Sequence, residues 1–281
     1  MIDLHCHSLC SDGTDAPAAL ALLAQAGGLK ALALTDHDTL DGLPEFLAMQ
    51  SQVSTRLITG IELSCRFLSM ELHILGLFVD HQDPAFRNRI QDLQARRQER
   101  NQRMAERLTA IGIPISLQEV AEHATSRLVS RVHFARALVK RGKAGSQQDA
   151  FARFIGEGRP AHVPFEDLSP ADACRWIKEA GGVPVLAHPG RSANRAFRWE
   201  EALADLKAQG LEALEAYYPE YSPREEQYFC ELAQRLDLVA SGGSDYHGKM
   251  KVGLSLGVGR GGLHVPDQVL ENLEVRRTHR T

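Results

Sequence analysis

The sequence has few cysteines, few aromatic residues and no long hydrophobic run. No stretch of about 18 apolar residues occurs, and the first residues form neither a basic start nor an apolar segment, which argues against a membrane span and a secretory signal. The five cysteines are scattered and never form a Cys-x-x-Cys pair, which argues against a disulfide framework and a thiolate zinc site. We therefore expect a cytoplasmic protein with reduced thiols and no membrane partner.

Neither sign of charge dominates the 281-residue chain, because 32 Lys and Arg stand against 36 Asp and Glu. This mild acidity gives no global reason to expect nucleic-acid binding. The charges are unevenly distributed, however. Residues 84–160 carry 15 basic and 7 acidic side chains, a net charge of +8, so the remaining residues carry a net charge of -12. One basic block thus interrupts an acidic body.

In the acidic body, short apolar runs alternate with helical patterns, which is typical of βα units around a parallel sheet or barrel. Seven runs are candidate strands, at residues 2–7, 30–35, 56–63, 71–79, 183–187, 211–216 and 238–241. Candidate helices lie between them, near residues 16–27, 42–51, 169–180, 199–209 and 223–236. This pattern predicts an α/β protein built as a seven-stranded barrel.

The basic block is predicted to be a helical insertion between two barrel strands. Residues 85–110 contain no Gly or Pro, and shorter helical patterns follow up to residue 154. We therefore expect a discontinuous barrel domain of residues 1–83 and 161–281, with residues 84–160 as a basic lid that recognises the substrate. The residues after Glu271 are expected to form a frayed, solvated end.

Histidine and carboxylate side chains recur at or near the ends of the candidate strands. His5 and His7 are two residues apart, so strand alternation places both imidazoles on one face and Cys6 on the other. The strand ends of a (β/α) barrel meet at one pocket. Imidazole and carboxylate donors without thiolate favour manganese, iron or zinc. The candidate ligands are His5, His7, Asp12, His37, Glu62, His73, His188, Asp245 and His247.

Three further residues are candidates for a catalytic role. Asp36 and Asp38 flank His37 and are suited either to orient it or to act as general acid or base, although solvated loop carboxylates are the simpler interpretation. His162 lies where the chain re-enters the barrel, within reach of the pocket. The sequence alone does not decide which of them transfers a proton.

These motifs resemble those of the PHP (polymerase and histidinol phosphatase) domain of the amidohydrolase superfamily. The resemblance rests on residues 3–8, 11–13, 34–38, 60–62, 188–189 and 243–247. It implies a distorted seven-stranded (β/α) barrel with two or three divalent metal ions, most simply manganese, that hydrolyse phosphate esters. It further implies one ion at His5, His7, Glu62 and Asp245, a second shared by Glu62 with His73 and His188, and a third at Asp12, His37 and His247.

The basic insertion, including Ser126, Arg127 and residues 130–136, resembles the branch of nucleoside 3',5'-bisphosphate phosphatases and related exonucleases. This branch implies a small nucleotide bisphosphate as substrate and short RNA as a second one. No protein partner is evident from the sequence. A substrate with two phosphates needs two anion sites. Arg131 follows a predicted helix cap and Arg191 lies three residues after His188, so either is suited to hold the second phosphate through bidentate contacts.

Three other functions remain open. A histidinol-phosphate phosphatase shares the barrel and the metals but has no need of a long basic insertion. Carbon–nitrogen bond hydrolysis usually requires a ligating or carboxylated lysine, and no candidate strand end offers one. A non-catalytic PHP module that binds nucleic acid is recognised by the loss of ligands, whereas this sequence has the complete set.

Overall fold

Seven strands form one sheet in chain order in the computed structural model, which describes residues 1–68, 70–123, 129–165, 167–192 and 197–279. They are β1 (Ile2–Asp3), β2 (Ala31–Leu34), β3 (Arg56–Phe67), β4 (Met70–Leu77), β5 (Val183–Leu186), β6 (Ala213–Tyr217) and β7 (Val239–Gly242). The ends of the sheet are joined, because the Leu4 N–H donates to the Gly242 carbonyl at 3.2 Å and the His7 N–H to the Tyr246 carbonyl at 2.8 Å. The predicted seven-stranded α/β barrel is confirmed.

The barrel is distorted at β4, which runs antiparallel to both β3 and β5 while the other neighbouring strands are parallel. Phe67 pairs with Met70, so β3 and β4 form a hairpin without a helix between them. Parallel neighbours would need a crossover connection, and so short a connection permits only antiparallel pairing. The alternation of strands and helices is therefore interrupted at this point, in agreement with the absence of a predicted helix between residues 63 and 71.

The helices occupy most of the predicted segments. They are α1 (Pro17–Ala26), α2 (Leu43–Ala48), α3 (Pro84–Ala110), α4 (Leu117–Ala121), α5 (Arg131–Lys140), α6 (Gln147–Ala150), α7 (Pro170–Glu179), α8 (Pro189–Ser192), α9 (Trp199–Ala208), α10 (Pro223–Arg235) and α11 (Gln268–Thr278). The expectation of a frayed end after Glu271 is wrong, because Val269 and Leu273 of α11 are buried in a barrel core cluster. In the described part of the chain, no helix combines the length and apolar character of a membrane span.

Contacts divide the chain into two units. One comprises Met1–Asn88 and Asp167–Thr281, and the other comprises Arg89–Glu166. These boundaries lie a few residues beyond the expected ones at 83/84 and 160/161. The second unit has a core of its own, formed around Met104, Leu108, Phe134, Leu138 and Ile155. Ser126 and Arg127 lie outside the described residues.

Candidate metal centre

His5 and His7 follow the short strand β1 in an extended segment. The regular strand ends at Asp3, earlier than predicted, but a bridge between Cys6 and Tyr246 keeps the chain extended. The two buried imidazoles place their Nε2 atoms 3.1 Å apart. The Cys6 thiol instead donates to the Ala33 carbonyl at 3.2 Å, within a separate core cluster. Alternation thus separates the thiol from the two imidazoles.

Glu62 lies at the centre of the cluster. It occupies the middle of β3, which extends to Phe67, and not the strand end. Its fully buried carboxylate lies within 3.3 Å of five imidazoles, those of His5, His7, His37, His73 and His188. His73 reaches the carboxylate from within β4, where it pairs with Ser64 of β3. The antiparallel direction of β4 therefore places a residue from the first half of that strand at the cluster.

The other two predicted carboxylate ligands, Asp12 and Asp245, contact imidazoles of the same cluster. Asp12 Oδ2 is 3.1 Å from His247 Nε2 and 3.8 Å from His37 Nε2. Asp245 Oδ1 is 3.5 Å from His5 Nε2, 3.4 Å from His7 Nε2 and 3.3 Å from His247 Nδ1. The loops after β1 and β7 thus supply one continuous set of nitrogen and oxygen donors.

All nine predicted ligands fall into overlapping groups whose donor atoms lie within 4.8 Å of one another. The groups are His7, Asp12, His37 and His247; His5, His7 and Asp245; His5, Glu62 and His188; and His37, Glu62 and His73. The resemblance implied that His73 and His188 share an ion, whereas here they belong to different groups. Among the described residues, the buried Nδ1 atoms of His37 and His188 have no hydrogen-bond partner. Such donors fit divalent transition metals.

The carboxylates of this cluster remain ionised despite their burial. Burial raises the pKa of Glu62, but the positive charges of His37, His5 and His73 outweigh it and hold the pKa well below its usual range. The pKa of Asp12 is also lowered, because the hydrogen bond to His247 and the charges of His7 and His37 outweigh burial. The cluster therefore keeps its oxygen donors in the anionic form that binds metal.

The imidazoles differ in protonation. Burial lowers the pKa of His37 to about 4. Burial also opposes a charge on His7 and His73, but nearby carboxylates outweigh it and raise the pKa of His7 to about 9 and that of His73 to about 10. The positive charges of the protonated rings balance the negative charges of the nearby carboxylates. Bound divalent cations are able to balance the same negative charges.

Asp36 and Asp38 are buried, so the interpretation of both as solvated loop carboxylates is wrong. Asp36 accepts hydrogen bonds from the Ser8 N–H at 2.7 Å, the Ser8 hydroxyl at 2.6 Å and the Ser11 hydroxyl at 2.5 Å. Asp38 accepts from the Ser64 N–H at 3.1 Å and its hydroxyl at 3.0 Å. These contacts hold the loop after β1 and the middle of β3, which favours an orienting role over proton transfer.

Arg191 lies beside the cluster. Its Nη1 is 2.8 Å from the Tyr218 hydroxyl and 3.4 Å from Asp245 Oδ2. Arg131 and His162 belong to the second unit, where Arg131 is the first residue of α5 and the His162 carbonyl accepts a hydrogen bond from Arg107. The roles expected for Arg131 and His162 remain predictions.

Glu215 is a residue of the site that the sequence reasoning missed. Its Oε1 lies 3.0 Å from His5 Nδ1, and its Oε2 accepts the His188 N–H at 2.7 Å. The carboxylate is fully buried in β6, whose other residues are apolar apart from Tyr217. The predicted strand at residues 211–216 contains two glutamates, Glu212 and Glu215, and an acidic residue in an otherwise apolar strand was the available signal. By holding His5 Nδ1, Glu215 directs the opposite ring nitrogen towards Glu62 and His7.

Replacing Glu215 by Ala is expected to weaken metal binding by about 10- to 100-fold, the usual effect of removing a group that orients a metal-binding histidine. Manganese titration by calorimetry measures this effect. Glu215→Gln, which keeps one acceptor, is expected to retain part of the affinity. Glu231→Gln on the exposed side of α10 serves as the matched control. An unchanged affinity in Glu215→Ala would show that His5 does not need this partner.

Known proteins are similar to this chain in sequence and fold. A family described as the PHP domain matches residues 3–137. A 5'-3' exoribonuclease of Haemophilus influenzae is 35% identical, over 87% of this chain and 89% of its own. A 3',5'-nucleoside bisphosphate phosphatase of Chromobacterium violaceum is 34% identical, over 91% of this chain and 90% of its own. The solved structure of an amidohydrolase from Chromobacterium violaceum, with bound sulfate and no metal, has a TM-score of 0.76 and 32% identity, covering 98% of this chain and 96% of that one.

Proposed function

This chain belongs to the PHP family, and we propose that it is a metal-dependent phosphoesterase that releases the 3'-phosphate of nucleoside 3',5'-bisphosphates. The observation that supports this most strongly is the largely buried cluster of nine residues, Glu62 among them, that offer nitrogen and oxygen donors. A relative that covers most of this chain is named as a 3',5'-nucleoside bisphosphate phosphatase. The complete donor set argues against a non-catalytic module.

We assign two or three divalent ions to these donor groups and propose manganese as the native metal, with iron and zinc as alternatives because imidazole and carboxylate donors also suit them. When bound, such ions activate water and withdraw charge from the phosphoryl oxygens. The chain's own residues prepare the site. Asp36 fixes the loop that carries His7 and Asp12, and Glu215 orients His5 and the backbone of His188.

Trimming of short RNA from its 5' end is a second candidate function. A relative is named as a 5'-3' exoribonuclease, and residues 84–160 of this chain carry a net charge of +8. Basic segments attract the phosphates of a nucleic acid without reading its sequence. A histidinol-phosphate substrate has no comparable support from the charge distribution.

Phosphate release from a panel of substrates tests the proposed function. The panel contains adenosine 3',5'-bisphosphate, adenosine 3'-monophosphate, histidinol phosphate and a short 5'-phosphorylated RNA, each supplied with manganese. We expect the highest kcat/KM for the bisphosphate. A preference for histidinol phosphate, or release from none of the substrates by protein that contains metal, would reject the assignment.

The second phosphate of the substrate requires its own cation, and we assign it to Arg131. Arg131→Met is expected to lower kcat/KM for the bisphosphate by a factor equivalent to about 1.5–3 kcal/mol of transition-state stabilisation, the scale of a charge-assisted hydrogen bond. The kcat/KM for the 3'-monophosphate is expected to stay unchanged. The exposed Arg136 of the same helix provides the control variant Arg136→Met. Equal losses for both substrates in Arg131→Met would place the second phosphate elsewhere.

A further inference from the structure

Three side chains converge on one oxygen of Asp245. The Tyr218 hydroxyl donates to Oδ2 at 2.8 Å, Arg191 Nη1 lies 3.4 Å away, and the Lys251 ammonium pairs with the same oxygen. The other oxygen, Oδ1, faces His5 within the candidate metal centre. The three donors follow β5, β6 and β7, so separate segments of the barrel build one cationic group at the edge of the centre.

These donors exceed what one carboxylate oxygen accepts, which is about two hydrogen bonds. Among the described residues, Lys251 has no other acceptor, although an ammonium has about three N–H donors. Arg191 also pairs through Nε with Glu220 at 3.4 Å, yet its side chain remains 43% exposed. The group therefore retains hydrogen-bond donors that Asp245 does not satisfy.

The backbone holds Lys251 in this position. The Lys249 N–H donates to the Thr14 hydroxyl at 3.0 Å, the Leu254 N–H donates to the Lys251 carbonyl at 3.1 Å, and Arg260 donates to the Val252 carbonyl at 3.1 Å. The Lys251 side chain is only 21% exposed, whereas Lys249, two residues earlier in the same loop, is exposed. The loop thus presents one lysine to the site and one to solvent.

We propose that Lys251, Arg191 and Tyr218 form an anion clamp that binds the scissile phosphoryl group; this rests on the proposed function. When Asp245 coordinates a metal ion, its negative charge is shared with that ion, so Lys251 needs another anion and Arg191 retains, among the described residues, Glu220 alone. Phosphoryl oxygens accept charge-assisted hydrogen bonds from Lys and Arg. Because the clamp adjoins a candidate ligand, it serves the phosphate that reacts and not the second phosphate.

Binding of inorganic phosphate to the manganese-loaded protein tests the clamp, measured by calorimetry with the metal content determined in parallel. Lys251→Met is expected to raise the Kd for phosphate by roughly 10- to 100-fold, as expected for a lost charge-assisted hydrogen bond, at unchanged metal content. Lys251→Arg keeps the positive charge and is expected to retain most of the affinity. Lys249→Met is the matched control and is expected to bind phosphate like the wild type.

A wild-type Kd in Lys251→Met, or no phosphate binding by the loaded wild type, would overturn the clamp. A parallel loss of metal in Lys251→Met would overturn it as well, because Lys251 would then act by supporting Asp245. Phosphate release from the bisphosphate by the wild type decides the proposed function separately. A protein that binds phosphate through Lys251 but hydrolyses no ester would retain the clamp and lose only the proposed activity.

Discussion

Glu62→Gln is expected to lower kcat for phosphate release by about 1,000-fold or more, or roughly 4 kcal/mol, because metal stabilisation of the transition state is worth several kcal/mol. Glu62 belongs to two of the donor groups, one with His5 and His188 and one with His37 and His73. The substitution removes their shared negative charge and turns an amide donor towards the imidazoles. Metal content and single-turnover rates should fall together.

Glu201→Gln, on the exposed side of α9, provides the control for the loss of a carboxylate. It is expected to keep the wild-type metal content and rate. If Glu62→Gln retained its metal and turned over within about tenfold of the wild type, the carboxylate would not be a shared ligand. The assignment of two adjacent ions would then lose its central residue.

Removal of divalent ions is expected to stop phosphate release and to lower the thermal midpoint by roughly 5–10 °C. A metal whose free concentration is about 100 times its Kd stabilises the native state by about 2.7 kcal/mol. A change of about 1 kcal/mol in the free energy of unfolding shifts the thermal midpoint of a domain of this size by roughly 2–4 °C. The buried carboxylates of Glu62 and Asp245 and the half-buried carboxylate of Asp12 carry the negative charge that a bound metal neutralises.

Thermal unfolding before chelation, after chelation and after readdition of manganese measures this effect. Glu62→Gln is the matched comparison, because its midpoint should respond much less to chelation. A chelated wild type with no detectable metal, an unchanged midpoint and undiminished turnover would contradict a metal-dependent account of the site.

The sequence allowed the ligand set to be predicted because alternation and strand ends are local features. His5 and His7 share a face because side chains alternate along an extended segment, and His188 follows β5 at the barrel edge where loops converge. Glu62 was also predicted near a strand end, although it lies in the middle of β3. Hydrophobic runs likewise located the strands. These arguments need only the order of the elements and not their exact packing.

The remaining features depend on contacts between distant segments. The absence of a predicted helix between residues 63 and 71 is compatible with a hairpin, but the antiparallel pairing of β4 on both sides, which brings His73 to Glu62, follows only from the folded sheet. Lys251 follows a Gly-rich turn and has no motif that separates it from Lys249, so only the folded loop distinguishes them. The burial of Asp36 likewise depends on Ser8 and Ser11, which fold back over it.

The most direct test of metal-dependent 3'-phosphate release is the identity of the product formed from adenosine 3',5'-bisphosphate. The reaction is followed by chromatography and mass spectrometry with manganese-loaded and with chelated protein. We predict adenosine 5'-monophosphate and free phosphate from the loaded protein, and intact substrate from the chelated protein. Adenosine 3'-monophosphate as the product, or equal conversion by both preparations, would contradict the account.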